Sequence, residues 1–111
     1  MLNSEGKVGE KEIWGKRADW VDYSRVVAGE KLGIANPTNI KHPTYWHARE
    51  YGLFKVNAFG EHDFYNDPKS DGSVTIPAGQ SLTLRYRVLI HHGDAAEAQV
   101  AGAYRRYAES K

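Results

Sequence analysis

Chemically capable side chains crowd into one stretch, His42-Pro43-Thr44-Tyr45-Trp46-His47-Ala48-Arg49-Glu50-Tyr51-Gly52, and His62-Asp63 follows soon after. Imidazoles, a guanidinium and phenols at this density support a metal site or an acid–base and ligand-binding site. The competing reading gives them no chemistry and makes them the packed polar and aromatic core of a small sheet.

For a metal, two histidines on one regular element must project in matching directions, as at i and i+4 on a helix or i and i+2 on a strand. His42 and His47 are five apart, so a continuous strand sends them to opposite faces. On a helix they diverge by about 140°. They converge with His62 on one ion only if the backbone bends, which Pro43 permits. His91-His92 is weaker, because adjacent strand residues face opposite ways. Two strand-end histidines satisfied by solvent or backbone are the simpler reading, and no cofactor is implied.

For ligand binding, His47 and Arg49 are two apart, so a strand sets them on one face with Tyr45 and Tyr51, and Trp46 on the other. A cation, an imidazole and two phenols on one surface suit a polyhydroxylated or small anionic ligand. If there is catalysis, His47 or His42 is the candidate base and Arg49 the group that holds ligand oxygens. A nucleophilic triad has little support, since Ser24 lies in no elbow motif. Asp22, inside Trp20-Val21-Asp22-Tyr23-Ser24, belongs on the solvent face by default, or else has a partner such as Arg49 or Arg87.

The elements that must position these residues are mostly strands. Ala18 to Val27 is rich in aromatic and β-branched residues, Ala28-Gly29-Glu30 supplies a turn, and Lys31 to Ala35 returns as a hairpin partner. Thr44 to Phe59 holds one or two strands, and Glu61 to Gly72 reads as a loop. The clearest strand runs from Leu82, with Leu82, Leu84, Tyr86, Val88 and Ile90 on one side and Thr83, Arg85, Arg87 and His91 on the other. Val74 and Ile76 form a short partner across the turn Pro77-Ala78-Gly79-Gln80. A terminal helix over 94–109 follows, capped by Asp94 with Glu97 three residues on and carrying Val100, Tyr104 and Tyr107 along one side. Residues 1–9 read as a loose arm, with a first strand around Glu12 to Trp14. The expected fold is mainly β, an antiparallel β-sandwich or half of a larger one, closed by a single C-terminal helix, all in one domain over 1–111.

Composition narrows the partners. With 15 basic residues against 14 acidic ones, scattered along the chain, there is no concentrated basic face for nucleic acid. The absence of cysteine removes disulfides, thiolate nucleophiles and Cys-based metal sites, and fits a reducing compartment. No apolar run approaches the roughly 20 residues of a membrane span, and no signal peptide is visible, so a soluble cytoplasmic protein is expected.

An ordered set of segments carries a family resemblance: Trp20-Val21-Asp22-Tyr23-Ser24, His42 through Phe54, Asn57-Ala58-Phe59-Gly60, Pro77 through Val88, and His91-His92-Gly93-Asp94. Together they resemble the C-terminal part of a soluble bacterial family labelled "methane oxygenase PmoA". That resemblance implies a β-sandwich associated with carbohydrate metabolism, with His42, His47, Arg49 and His62 as site residues beside Trp46 and Asn57. It departs from the family pattern at Arg25, where glycine is usual. Because it covers only the last part of longer proteins, it also implies either a truncated reading frame or uncovered strands that pair with a second copy; a homo-oligomer is the expectation.

Overall fold

A computed structural model describes residues 1–37 and 44–110. Its elements, in chain order, are β1 (Leu2–Asn3), α1 (Glu10–Ile13), β2 (Trp20–Val27), β3 (Glu30–Pro37), β4 (Tyr45–Ala48), β5 (Phe54–Asn57), α2 (Glu61–Tyr65), β6 (Leu89–His92) and α3 (Val100–Glu109). The long hairpin of β2 and β3 is the frame. Its turn residues Ala28 and Gly29 both take positive φ, 50° and 81°, the conformation that matches the twist of a two-residue hairpin. β1 adds to the outer side of β2 and β6 to that of β3, giving an antiparallel sheet in the order β1-β2-β3-β6.

A second, smaller antiparallel sheet consists of β4 and β5. The chain before β2 runs along its free side, where Gly15 N–H donates to Trp46 O at 2.7 Å and Trp46 N–H to Lys16 O at 3.0 Å. Alternation along β2 then builds three layers. Val21 packs with Ile13, Trp46 and Ala48 between the two sheets. On the opposite face, Trp20 and Ala35 pack with Ala95 and Val100 under α3. The fold is mainly β, with two antiparallel sheets sharing a core and a C-terminal helix closing the far side.

Several local expectations differ from this fold. Residues 1–9 are held against the sheet: β1 pairs with β2, and the buried Asn3 side chain accepts hydrogen bonds from the N–H groups of Glu5 (3.0 Å) and Lys7 (2.9 Å), folding the segment back on itself. Residues around Glu12 to Trp14 begin as a helical turn, favoured by Glu10 and Glu12 at its N-terminus. The loop after Gly60 contains α2. Asp94 and Glu97 do exchange capping bonds, with Glu97 N–H to Asp94 Oδ1 at 2.9 Å and Asp94 N–H to Glu97 Oε1 at 3.3 Å. Gln99, at φ 53°, then breaks the chain, and the regular helix starts only at Val100.

The largest difference is near the C-terminus. Only Leu89–His92 pairs with β3, no strand forms over 73–88, and Val74, Ile76, Leu82, Tyr86 and Val88 are exposed. Alternation records a strand's fitness for a half-buried surface, and among the described residues no second layer covers these apolar side chains. The turn itself is present, with Gln80 N–H donating to Pro77 O at 3.1 Å.

Candidate functional site

β4 divides its side chains as its alternation requires. Trp46 points into the shared core, stacks on Phe54 at 5.6 Å and donates its indole N–H to Ala18 O at 3.0 Å. His47 and Arg49 emerge on the other side, where Trp14, just past α1, meets both. The His47 ring lies edge-on to Trp14 at 5.9 Å, and the Arg49 guanidinium sits over the indole at 4.6 Å. Arg49 Nη1 also donates to Glu10 Oε1 at 2.6 Å.

Glu10 and Glu50 complete the cluster by exchanging bonds. The Glu50 N–H donates to Glu10 Oε2 at 2.8 Å, and the Glu10 N–H to Glu50 Oε1 at 3.3 Å. That amide, and then Arg49, hold the Glu10 carboxyl below its usual range. From the sheet side the Tyr23 hydroxyl donates to the Glu50 carbonyl at 2.6 Å, with the Arg49 carbonyl at 3.2 Å. Around these groups lies an open groove of about 470 Å³ lined by Glu10, Lys11, Trp14, Arg49 and Glu50. Two carboxylates face two cations, so the lining is formally neutral. The Trp14 indole N–H is buried and has no partner among the described residues.

The other sequence candidates fall elsewhere. His42 lies outside the described residues. His47 is held between the ring edges of Trp14 and Phe64 and does not line the groove. Trp46 is fully buried, so its ring offers no platform to a ligand. Asn57 closes a turn by accepting the Phe59 N–H at 2.9 Å, and His62 Nδ1 lies 3.0 Å from Ser70 O. Among the described residues, no three His, Asp or Glu side chains are arranged to share a metal ion. A second hollow of about 200 Å³ lies beside Tyr45, Arg17, Glu61 and Asp71. There burial, then Tyr65 and Glu61, push the Tyr45 phenol above its usual range.

One polar pair escaped the sequence reading. Asp22 is buried and bonds His91, with Oδ1 to Nε2 at 2.5 Å and side-chain exposures of 1% and 6%. The partner is neither Arg49, which holds Glu10, nor Arg87, which lies over the Tyr107 ring. Ser24, Gly33 and His91 form one cross-strand row, and the imidazole crosses the space above Gly33 to reach β2. A side chain at Gly33 would collide with that ring. His91 Nδ1 lies 3.2 Å from His92 O, and Asp22 Oδ2 has no partner among the described residues. Both partners are closed off from solvent, and their bond joins β6 to β2 within the sheet.

The model of DUF6807, a family of unknown function, matches residues 1–105. The chain belongs to that family. No curated protein and no solved structure matches it. In this DUF6807 chain the matched span contains the Trp14–Arg49 cluster, the Asp22–His91 pair and the first turns of α3. No helix among the described residues is long and apolar enough to cross a membrane.

Proposed function

We propose that the chain is a carbohydrate-related binding domain whose ligand lies in the groove between α1 and the β4–β5 turn. The observation that carries this reading is the charge-balanced lining of Glu10, Lys11, Arg49 and Glu50 beside Trp14. A neutral lining gives little attraction to an ion. A polyhydroxylated ligand fits it, because each hydroxyl can donate to a carboxylate and accept from a guanidinium or ammonium. Trp14 adds an apolar wall for the C–H surface of a sugar ring. The resemblance to the PmoA-labelled family, with its link to carbohydrate metabolism, points the same way.

The reading is of binding rather than turnover. His47 is packed between two rings behind Trp14, away from the groove, and the Glu10 carboxylate is already occupied by Arg49 and an amide. Calorimetric titration with a panel of neutral mono- and oligosaccharides tests it. Saturable heat that disappears in Arg49→Ala and weakens in Lys11→Ala is the expected result. Heat from no sugar, or heat unchanged in Arg49→Ala, would sink the proposal.

A second reading, a non-catalytic interaction domain, is favoured by one separate observation: the exposed apolar residues that precede β6 and lie on it, Leu82, Val88 and Ile90 among them.

A further inference from the structure

The hollow beside Tyr45 is assembled from distant segments, and the opposite charges that line it do not meet. Arg17 comes from the chain before β2, where a backbone bridge pairs it with Tyr45, and its guanidinium rests over the Tyr45 ring at 5.9 Å. Glu61 opens α2, and Asp71 lies in the loop that follows it. That loop is pinned in place. The Ser73 N–H donates to Asp71 Oδ1 at 2.9 Å, and a side chain on Gly72 would strike the Phe59 carbonyl. The Ser73 amide, and then its side chain, hold the Asp71 carboxyl below its usual range, so it is charged at neutral pH. The buried Tyr45 phenol, pushed the other way, stays protonated and adds no charge. Among the described residues, Arg17, Glu61 and Asp71 take part in no salt bridge. One cation and two anions thus line a single hollow and leave the space between them open.

We propose that this hollow binds a small α-amino acid, with Arg17 holding the ligand carboxylate and Glu61 and Asp71 holding its ammonium group. A zwitterion suits the lining as neither of its halves does alone. A simple anion meets two carboxylates for one guanidinium, and a simple amine leaves that guanidinium unanswered. A ligand carrying both charges gains a charge-assisted hydrogen bond at each end, and the planar fork of an arginine is shaped for a carboxylate. Size sets the class. The hollow measures about 200 Å³, and a water-sized group in a liquid takes about 30 Å³. The space therefore holds about six or seven non-hydrogen atoms, which is the size of alanine or serine. Ala58 and Val74 supply the apolar part of the wall against which a short side chain packs. This inference does not depend on the sugar groove, with which the hollow shares no lining residue.

Equilibrium dialysis of the full chain against radiolabelled L-alanine, L-serine and glycine tests it, with free ligand taken to about 1 mM, the top of the ordinary range for metabolites. At least one of the three should bind saturably, at one molecule per chain. Arg17→Ala and Glu61→Gln should each weaken that binding about tenfold or more, the loss of one charge-assisted bond, with an unchanged circular dichroism spectrum. Lys69→Ala removes an exposed cation of the same loop that does not line the hollow and should leave binding intact. Propionate lacks the ammonium group and ethylamine the carboxylate, so neither should displace the amino acid at the same concentration. Binding of none of the three amino acids overturns the proposal. Displacement by propionate or by ethylamine alone overturns it too, because the site would then read one charge only. So does binding that survives Arg17→Ala, which would place the ligand elsewhere.

Discussion

His91 on β6 reaches over Gly33 on β3 to bond Asp22 on β2 at 2.5 Å, so one buried polar contact spans three adjacent strands. It links the edge strand to the centre of the sheet, beyond the reach of ladder hydrogen bonds between neighbours. Removing one partner leaves the other buried without its counterpart. His91→Ala should therefore lower stability by about 3–5 kcal/mol, read as a drop in the urea midpoint at constant slope. A loss below about 1 kcal/mol would mean that the pair is open to water in solution.

Gly33 should tolerate no side chain while His91 remains. Gly33→Ala puts a methyl group into the imidazole and should cost about 1–3 kcal/mol, the usual penalty of overpacking. The same substitution in a His91→Ala background should cost much less. A double-mutant cycle with no coupling would show that the two residues do not meet.

Trp46 should behave as core. Trp46→Ala removes a fully buried indole between the sheets and should destabilise the chain by about 3–5 kcal/mol, while addition of sugar should leave any Trp46-specific signal unchanged. Ligand protection of Trp46 from a water-soluble quencher would contradict that assignment.

The pH dependence follows from Glu10. Its carboxyl is held below the usual 4.5, first by the Glu50 amide and then by Arg49. A group with a lowered folded pKa contributes stability that is fully present above its unfolded value and is lost as pH falls through the folded one. Wild type should therefore lose stability below about pH 4.5 in a step that Glu10→Gln reduces. Lys31 gives the opposite sign at the alkaline end: Asp94, then Glu97, raise it above 10.5. Its contribution is present below that value and fades as pH climbs past it. Parallel acid-denaturation curves for wild type and Glu10→Gln would contradict the first assignment.

Local signals made the frame of the fold legible. The β-branched run before Ala28-Gly29 and the returning segment after it specify a hairpin, and the two-residue spacing of His47 and Arg49 specifies a shared face. Their common contact with Trp14 bears that spacing out. What stayed hidden depended on register and on distant segments. Asp22 finds His91 only because β6 aligns His91 with Gly33, which no local pattern encodes. Glu10 and Trp14 entered the site because residues 9–17 fold around the smaller sheet, whereas their composition suggested a loose arm leading into a strand. The alternation from Leu82 to Ile90 yields a paired strand only from Leu89 onward, because periodicity does not say whether a layer exists to cover its apolar residues.

The groove is tested most directly by ¹⁵N-HSQC titration of the folded chain with neutral oligosaccharides. The account predicts saturable shifts confined to the amides of Glu10, Lys11 and Glu50 and to the Trp14 indole, with the Asp22 and His91 amides unmoved. Shifts that never saturate, or that centre on residues away from α1 and the β4–β5 turn, would contradict it.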